Sequence, residues 1–88
     1  MPEPPLVSVV TPCLNTAAYL RQTIESVLTQ DYPHIEYIVM DGGSSDGSLY
    51  ILKSYGGRLR YVSAPDAGVG DAINRGFQIS RGSIVRLA

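Results

Sequence analysis

Ile38-Val39-Met40-Asp41-Gly42-Gly43-Ser44-Ser45-Asp46-Gly47 is the stretch that decides the fold. An apolar run from Ile35 to Met40, with Glu36 inside it, halts at Asp41 and gives way to a Gly/Ser loop. Ser48 then opens a segment with helical spacing. This is the pattern of a buried strand that delivers a carboxylate to the carboxyl edge of an α/β sheet, where ligands of such sheets bind. Asp41 is therefore a candidate recognition residue, and the loop after it leaves room for a ligand.

Working outward, strands and helices alternate. Leu6 to Val10 reads as a short strand ended by Thr11-Pro12. Leu20, Ile24, Val27 and Leu28 fall on one face of a helix, with Asn15 or Thr16 as its N-cap and Asp31-Tyr32-Pro33 as its stop. After the Ile35 to Met40 strand, a second helix over Leu49 to Tyr55 presents Leu49, Leu52 and Tyr55 and stops at Gly56-Gly57. Arg58 to Ser63 alternates as a strand half open to solvent. A third helix over Gly70 to Ser80 is expected to bury Ala72, Ile73, Gly76 and Phe77, and Ile84 to Leu87 begins a fourth strand. The order β-α-β-α-β-α-β predicts an α/β fold: a Rossmann-like parallel sheet of about four strands with three helices on both faces. Half of a doubly wound sheet lacks the second wall of its ligand cleft. The expectation is thus a piece of a larger protein, with residues 1–5 as a loose leader and 6–88 as its ligand-binding portion.

Composition narrows the function. Net charge is −1 and the seven basic residues are scattered, which argues against nucleic acid and against a cationic membrane helix. No apolar run approaches the roughly 20 residues that span a bilayer. A single cysteine, Cys13, with only His34 for company excludes an internal disulfide and a Cys/His zinc cluster, so a reducing cytoplasm is the expected setting. The generic phosphate and metal motifs also fail. Gly42 and Gly47 have P-loop spacing, but Ser48 stands where lysine is required. Gly68-Val69-Gly70 starts a dinucleotide fingerprint that Ile73 breaks. A calcium loop from Asp41 would need glycine at Asp46 and glutamate at Leu52.

Residues 7–47, Val-Ser-Val-Val-Thr-Pro-Cys-Leu-Asn, a helix, then Ile-Glu-Tyr-Ile-Val-Met-Asp-Gly-Gly-Ser-Ser-Asp-Gly, resemble the opening of family 2 glycosyltransferases. Ser63-Ala64-Pro65-Asp66-Ala67-Gly68, Asp71-Ala72-Ile73-Asn74-Arg75-Gly76 and Arg81-Gly82-Ser83-Ile84-Val85 agree in order and spacing. The resemblance implies the N-terminal half of a GT-A fold and transfer of a sugar from a nucleotide-diphospho-sugar, of UDP or dTDP type, to a hydroxyl, in cell-wall or polysaccharide biosynthesis. It implies that Thr11, Pro12 and Asn15 border the base and ribose, and that Asp41 accepts a hydrogen bond from the uracil imide. A carboxylate, which only accepts, suits a ring N–H. By the same resemblance Asp66, Gly68, Asp71 and Asn74 lie near ribose and diphosphate. Gly70 stands where many relatives carry an aromatic residue, and Ala64 where glutamate is common. A divalent cation, magnesium or manganese, is implied for the full-length enzyme. Its Asp-x-Asp ligands are expected beyond Ala88, as are the catalytic base and the acceptor site, so neither catalytic nor metal-ligating residues are assigned here. The acceptor, a sugar or a lipid-linked sugar, is left open, as is peripheral membrane association.

Simpler roles compete at each position. Asp41 could brace its loop, Asp46 cap the second helix, Asp66 shape a turn and Asp71 stabilise a helix start. Asn74 could make a structural hydrogen bond, and Cys13 could be a small buried hydrophobe. His34 and the arginines at 58, 60, 81 and 86 read as solvated. A non-catalytic nucleotide-binding or scaffold module remains the alternative to an enzyme. In the intact fold the fourth strand is expected inside the sheet, beside the first; in the isolated fragment, cut at Ala88, Ile84 to Leu87 is expected to be an exposed edge through which two copies pair.

Overall fold

A computed structural model describes residues 5–88; Met1 to Pro4 of the expected leader lie outside the described residues. The elements run β1 (Val7–Cys13), α1 (Ala17–Leu28), β2 (Ile35–Asp41), α2 (Ser48–Ser54), β3 (Arg60–Ser63), α3 (Val69–Ile79) and β4 (Ile84–Leu87). All strand pairs are parallel, in the order β3-β2-β1-β4. The chain winds outward from β1 to β3, then crosses back to place β4 on the other side of β1. The switch in direction therefore lies at β1.

Strand alternation divides the core in two. Val7, Val9 and Cys13 of β1 and Tyr37 and Val39 of β2 pack against Leu20, Ile24 and Val27 of α1 and Ile51 and Leu52 of α2. Val10, Ile38 and Met40 face the opposite way, against Ala72 and Ile79 of α3. Helices thus cover both faces, as the alternating pattern predicts.

The structure departs from the sequence reading at several positions, Ile73 among them, which is half-buried instead of buried. Thr11-Pro12 does not end β1, which runs on to Cys13. The Val7 N–H donates to the His34 carbonyl at 2.8 Å and the Cys13 carbonyl accepts from Gly42 at 2.9 Å, so odd-numbered residues of β1 bond towards β2. Pro12 turns its missing N–H the other way, past the last paired residue of β4, and no ladder bond is lost. Arg58 does not begin β3, because its N–H closes a 3₁₀ turn over Gly56–Arg58 on the Tyr55 carbonyl. In α2 it is Ile51, with Leu52, that fills the core position assigned to Leu49. Phe77 is 41% exposed instead of buried. The small residues Ala72 and Gly76 form the contact stripe of α3, and a Cβ on Gly76 would stand 2.5 Å from Val10 Cγ1. Phe77 lies about 100° round the helix from that stripe.

Two arginines expected to be solvated are instead tied to Glu36, which is 8% exposed on the α3 face of β2. Its Oε1 accepts from the Ser8 hydroxyl at 2.9 Å and the Arg81 backbone N–H at 2.8 Å. Oε2 accepts from Arg81 Nε at 2.7 Å and Arg60 Nη1 at 2.9 Å. Ser8 Oγ in turn accepts from the Gly82 N–H at 2.9 Å. One carboxylate therefore joins β1, β2, β3 and the α3–β4 turn. Burial alone would raise its pKa, but the bonds from Arg81, Ser8 and Arg60 outweigh this and hold it at about 2 against an ordinary 4.5.

Two predictions follow from this packing. Gly76→Val should destabilise the fold by about 1–3 kcal/mol through overpacking against Val10, read as a lower urea midpoint with unchanged slope. For Glu36, whose folded pKa is depressed, the stabilisation is present above pH 4.5 and is lost as pH falls towards 2. With half-exposed guanidiniums screened by water, it amounts to about 2 kcal/mol. The difference in urea midpoint between wild type and Glu36→Gln should accordingly be largest near pH 6 and shrink towards pH 2.

Candidate functional site

Three loops meet at the carboxyl edge of the sheet: 14–16 after β1, 42–47 after β2 and 64–68 after β3. Asp41 organises them. It pairs in register with Cys13 on one side and Ser63 on the other, and is only 2% exposed. Its Oδ2 accepts from the Ser63 hydroxyl at 2.7 Å and the Ser44 N–H at 3.0 Å. Its Oδ1 accepts from the Ser44 hydroxyl, in a short contact, and from the Cys13 thiol at 3.4 Å. Burial would raise the Asp41 pKa, yet the bonds from Ser44, Ser63 and Cys13 win and lower it. The Cys13 thiol is pushed up to about 12 by burial first and by Asp41 second, so it stays protonated and donates.

A second set of bonds latches the loops to one another. The Asn15 N–H donates to Ser44 Oγ at 2.8 Å, and Asn15 Oδ1 accepts from the Ser45 N–H at 2.8 Å. Asn15 holds φ at 52°, a left-handed conformation that asparagine tolerates better than most residues. Asp46 bridges two helix starts: Oδ1 accepts from the N–H and hydroxyl of Ser48, and Oδ2 from the Ala17 N–H at 3.0 Å. The N-terminus of α1 is thus capped from a distant loop, and Thr16 makes no side-chain cap of its own. Asp66 closes the third contact. Its carboxylate lies so near Gly42 that a Cβ there would stand 2.9 Å from Oδ2, while Oδ1 accepts from the Gly68 N–H at 2.9 Å.

Beside this latch lies an open cavity of about 270 Å³. Pro12, Cys13, Leu14 and Thr16 form one wall; Asp66, Gly68, Val69 and Ala72 form the other. It sits between the end of β1 and the start of α3, at the switch in strand order where open α/β sheets bind ligands. The lining is mostly apolar, with the Asp66 carboxylate as its charged group. The buried Thr16 hydroxyl has no hydrogen-bond partner among the described residues.

The expected site residues fall into three groups. Pro12, Asp66 and Gly68 line the cavity. Asn15 and Asp41 stand in the latch behind it. Thr11, Asp71 and Asn74 face elsewhere. Thr11 is buried on the α1/α2 face, with its hydroxyl 2.8 Å from Tyr37 Oη. Asp71 accepts from the Ala67 N–H at 2.9 Å, which lowers its pKa, and pairs with Arg75 at 3.1 Å. Asn74 is exposed on α3. Sequence reasoning missed Leu14, Thr16 and Val69 as cavity wall; the exposed apolar residues Leu14 and Val69 in loop-flanking positions were the available signal. It also missed Ser44 and Ser63 as the partners that satisfy Asp41. Among the described residues no group of three His, Cys, Asp or Glu side chains converges to hold a metal ion, so these residues do not fit a divalent cation.

This arrangement has counterparts among known proteins. An uncharacterized glycosyltransferase of Rickettsia prowazekii is 41% identical over 78 residues, which cover 89% of this chain and 24% of that protein. Residues 1–349 of TarS from S. aureus in complex with UDP-GlcNAc superimpose with a TM-score of 0.82 at 25% identity, over 94% of this chain and 26% of that one. The mannosyltransferase PcManGT from Pyrobaculum calidifontis, in complex with GDP-Man and Mn²⁺, gives a TM-score of 0.80 at 27% identity, over 92% and 26%. The chain thus spans about a quarter of the length of these relatives. Its parallel sheet, with helices on both faces, matches GT-A glycosyltransferase structures. The family's own sequence model matches residues 8–87, and the chain belongs to glycosyl transferase family 2.

Proposed function

We propose that this chain supplies the base and ribose half of a nucleotide-diphospho-sugar site, of UDP type, in a glycosyltransferase that acts on a hydroxyl acceptor. The cavity at the strand-order switch carries the reading. Its apolar walls, Leu14 and Val69 above all, suit the face of a nucleobase, while the Asp66 carboxylate offers acceptors to base or ribose. The UDP-GlcNAc complex of TarS supports the choice of uridine. Pro12, Asn15, Asp41, Asp66 and Gly68 belong to or brace this half-site. Asp71 and Thr11 act at one remove, through the α3 start and the sheet, and Asn74 faces solvent on α3. A divalent cation, as in the Mn²⁺ complex of PcManGT, would need ligands other than the described residues. A cytoplasmic setting is part of the reading and rests on the lone thiol. No helix among the described residues is long and apolar enough to cross a membrane.

Titration of the ¹⁵N-labelled chain with UDP tests the proposal. Amide shifts should cluster at Cys13 to Thr16, Asp41 to Ser44 and Asp66 to Val69, and inorganic phosphate should not reproduce them. An unmoved spectrum at millimolar UDP would favour a scaffold module. Gly42→Ala is the directed variant. Its new methyl displaces the Asp66 carboxylate, the movable end of a side chain, so UDP affinity should fall while the thermal midpoint changes by only a few degrees.

Self-association through β4 belongs to the same proposal. Among the described residues β4 is an edge strand, with Ile84, Val85 and Leu87 exposed. Exposed edges of this kind pair with other chains. Sedimentation equilibrium at about 100 µM should show dimer, and Val85→Lys should return it to monomer; a strict wild-type monomer would end this part of the reading.

A further inference from the structure

Asp41 has no acceptor site left. A carboxylate offers about four lone-pair positions, and the Ser63 hydroxyl, the Ser44 N–H, the Ser44 hydroxyl and the Cys13 thiol occupy them. At 2% exposure it cannot meet a nucleobase without giving one of these up. The four donors are not equally replaceable. The Ser63 hydroxyl is part of the β2–β3 pairing, where Asp41 and Ser63 are in register and the Ala64 N–H donates to the Asp41 carbonyl at 3.0 Å. The Cys13 thiol belongs to the adjacent strand and is the weakest of the four, at 3.4 Å. The Ser44 N–H is fixed by the turn it closes. The Ser44 hydroxyl is different. It sits on a loop with glycines at positive φ on either side, Gly43 at 94° and Gly47 at 116°. Its oxygen also accepts from the Asn15 N–H at 2.8 Å, a bond that is kept when the hydroxyl proton turns from Asp41 to solvent.

We infer that the Ser44 hydroxyl is an internal competitor for the base: it occupies Asp41 Oδ1 in the free protein and is exchanged for the ring N–H of a uridine nucleotide. The inference rests on the nucleotide reading above and names the group that an entering ring N–H must displace. A ligand without an imide N–H cannot replace the Ser44–Asp41 bond, and because a buried acceptor left unpaired is penalised in full, it leaves that bond in place. Ser44 therefore lowers affinity only for a nucleotide whose ring N–H takes its place on Asp41. Asn15 is the positioning residue of this exchange, since its N–H donates to Ser44 Oγ and holds that oxygen while the hydroxyl proton moves off Asp41.

Ser44→Ala, with UDP and its N3-methyl derivative as probes, decides the matter by calorimetry or NMR titration. Removing the competitor should tighten UDP binding by about three- to tenfold, the equivalent of one net hydrogen bond. N3-methyl-UDP, which has no imide proton, should gain nothing from the variant. Ser26→Ala, on the exposed face of α1, should leave both affinities unchanged. Equal tightening of the two probes would mean that the variant merely loosens the loop, and would overturn the inference. So would weaker UDP binding by Ser44→Ala, which would make Ser44 a support for Asp41 or a ligand contact. Wild-type protein that binds neither probe would instead defeat the underlying nucleotide reading, a result distinguishable from either. If Ser44→Ala unfolds, Ser44→Gly keeps the backbone N–H bond to Asp41 and gives the same comparison in the looser loop.

Discussion

A carboxylate at the end of an apolar strand must be satisfied where it stands, and the carboxyl edge of this sheet is built around that constraint. An unpaired ion at the Asp41 position would cost several kcal/mol of desolvation. The chain meets the demand with donors from three elements: Cys13 from β1, Ser44 from the following loop and Ser63 from β3. Each donor fixes something else in turn. Ser63 fixes the last rung of β3, Ser44 draws in Asn15 and with it the β1–α1 loop, and the neighbouring Gly42 admits Asp66. The cavity wall is therefore a consequence of hydrogen-bonding one buried carboxylate.

The other end of β2 solves the same problem on the opposite face. Glu36 and Asp41 are five positions apart, an odd number, so strand alternation turns them to opposite sides of the sheet. Glu36 takes arginine partners and Asp41 takes hydroxyls and a thiol. That difference suits their places. The guanidiniums of Arg60 and Arg81 reach Glu36 from solvent-exposed positions and keep charge balance over a structural junction of four elements. The neutral donors around Asp41 leave its negative charge uncompensated, and a carboxylate in that state still prefers a stronger donor when one arrives. A fixed cation there would remove that preference.

The periodic parts of the fold were legible in the sequence because each is decided by a repeated pattern. Leu20, Ile24 and Val27 give α1, and the apolar run of β2 gives a central strand, whatever their neighbours do. The parts that were not legible depend on partners distant in sequence. Nothing local says that Pro12 continues a strand, since the outcome turns on which side its absent N–H faces. Nothing local separates Arg60 and Arg81 from the solvated Arg86; only the crossover that brings residue 81 to residue 36 does so. Phe77 was misplaced because an apolar residue beside a small one was read as core, whereas the close approach at Gly76 makes the small residues the contact. The site shows the same division. Asp41 and Asp66 stand out by type and position, but the bonds that satisfy Asp41 join residues 28 and 22 apart and no spacing rule reports them.

Apolar wall and polar latch are separate devices, and their separation has a consequence for recognition. Leu14 and Val69 can pack against any flat ring, and dispersion and burial there carry no information about its edge. Discrimination must come from groups that lose a bond when the wrong ring enters. A site built to hydrogen-bond a ligand rejects analogues that lack the group far more strongly than an apolar pocket can. Asp41 has its acceptor positions filled before any ligand arrives, so a donor that reached it would have to match the bond it displaced. On the nucleotide reading, contact area belongs to the cavity and hydrogen-bond discrimination to the loops, and the 42–47 loop can vary while the core of the sheet stays as it is.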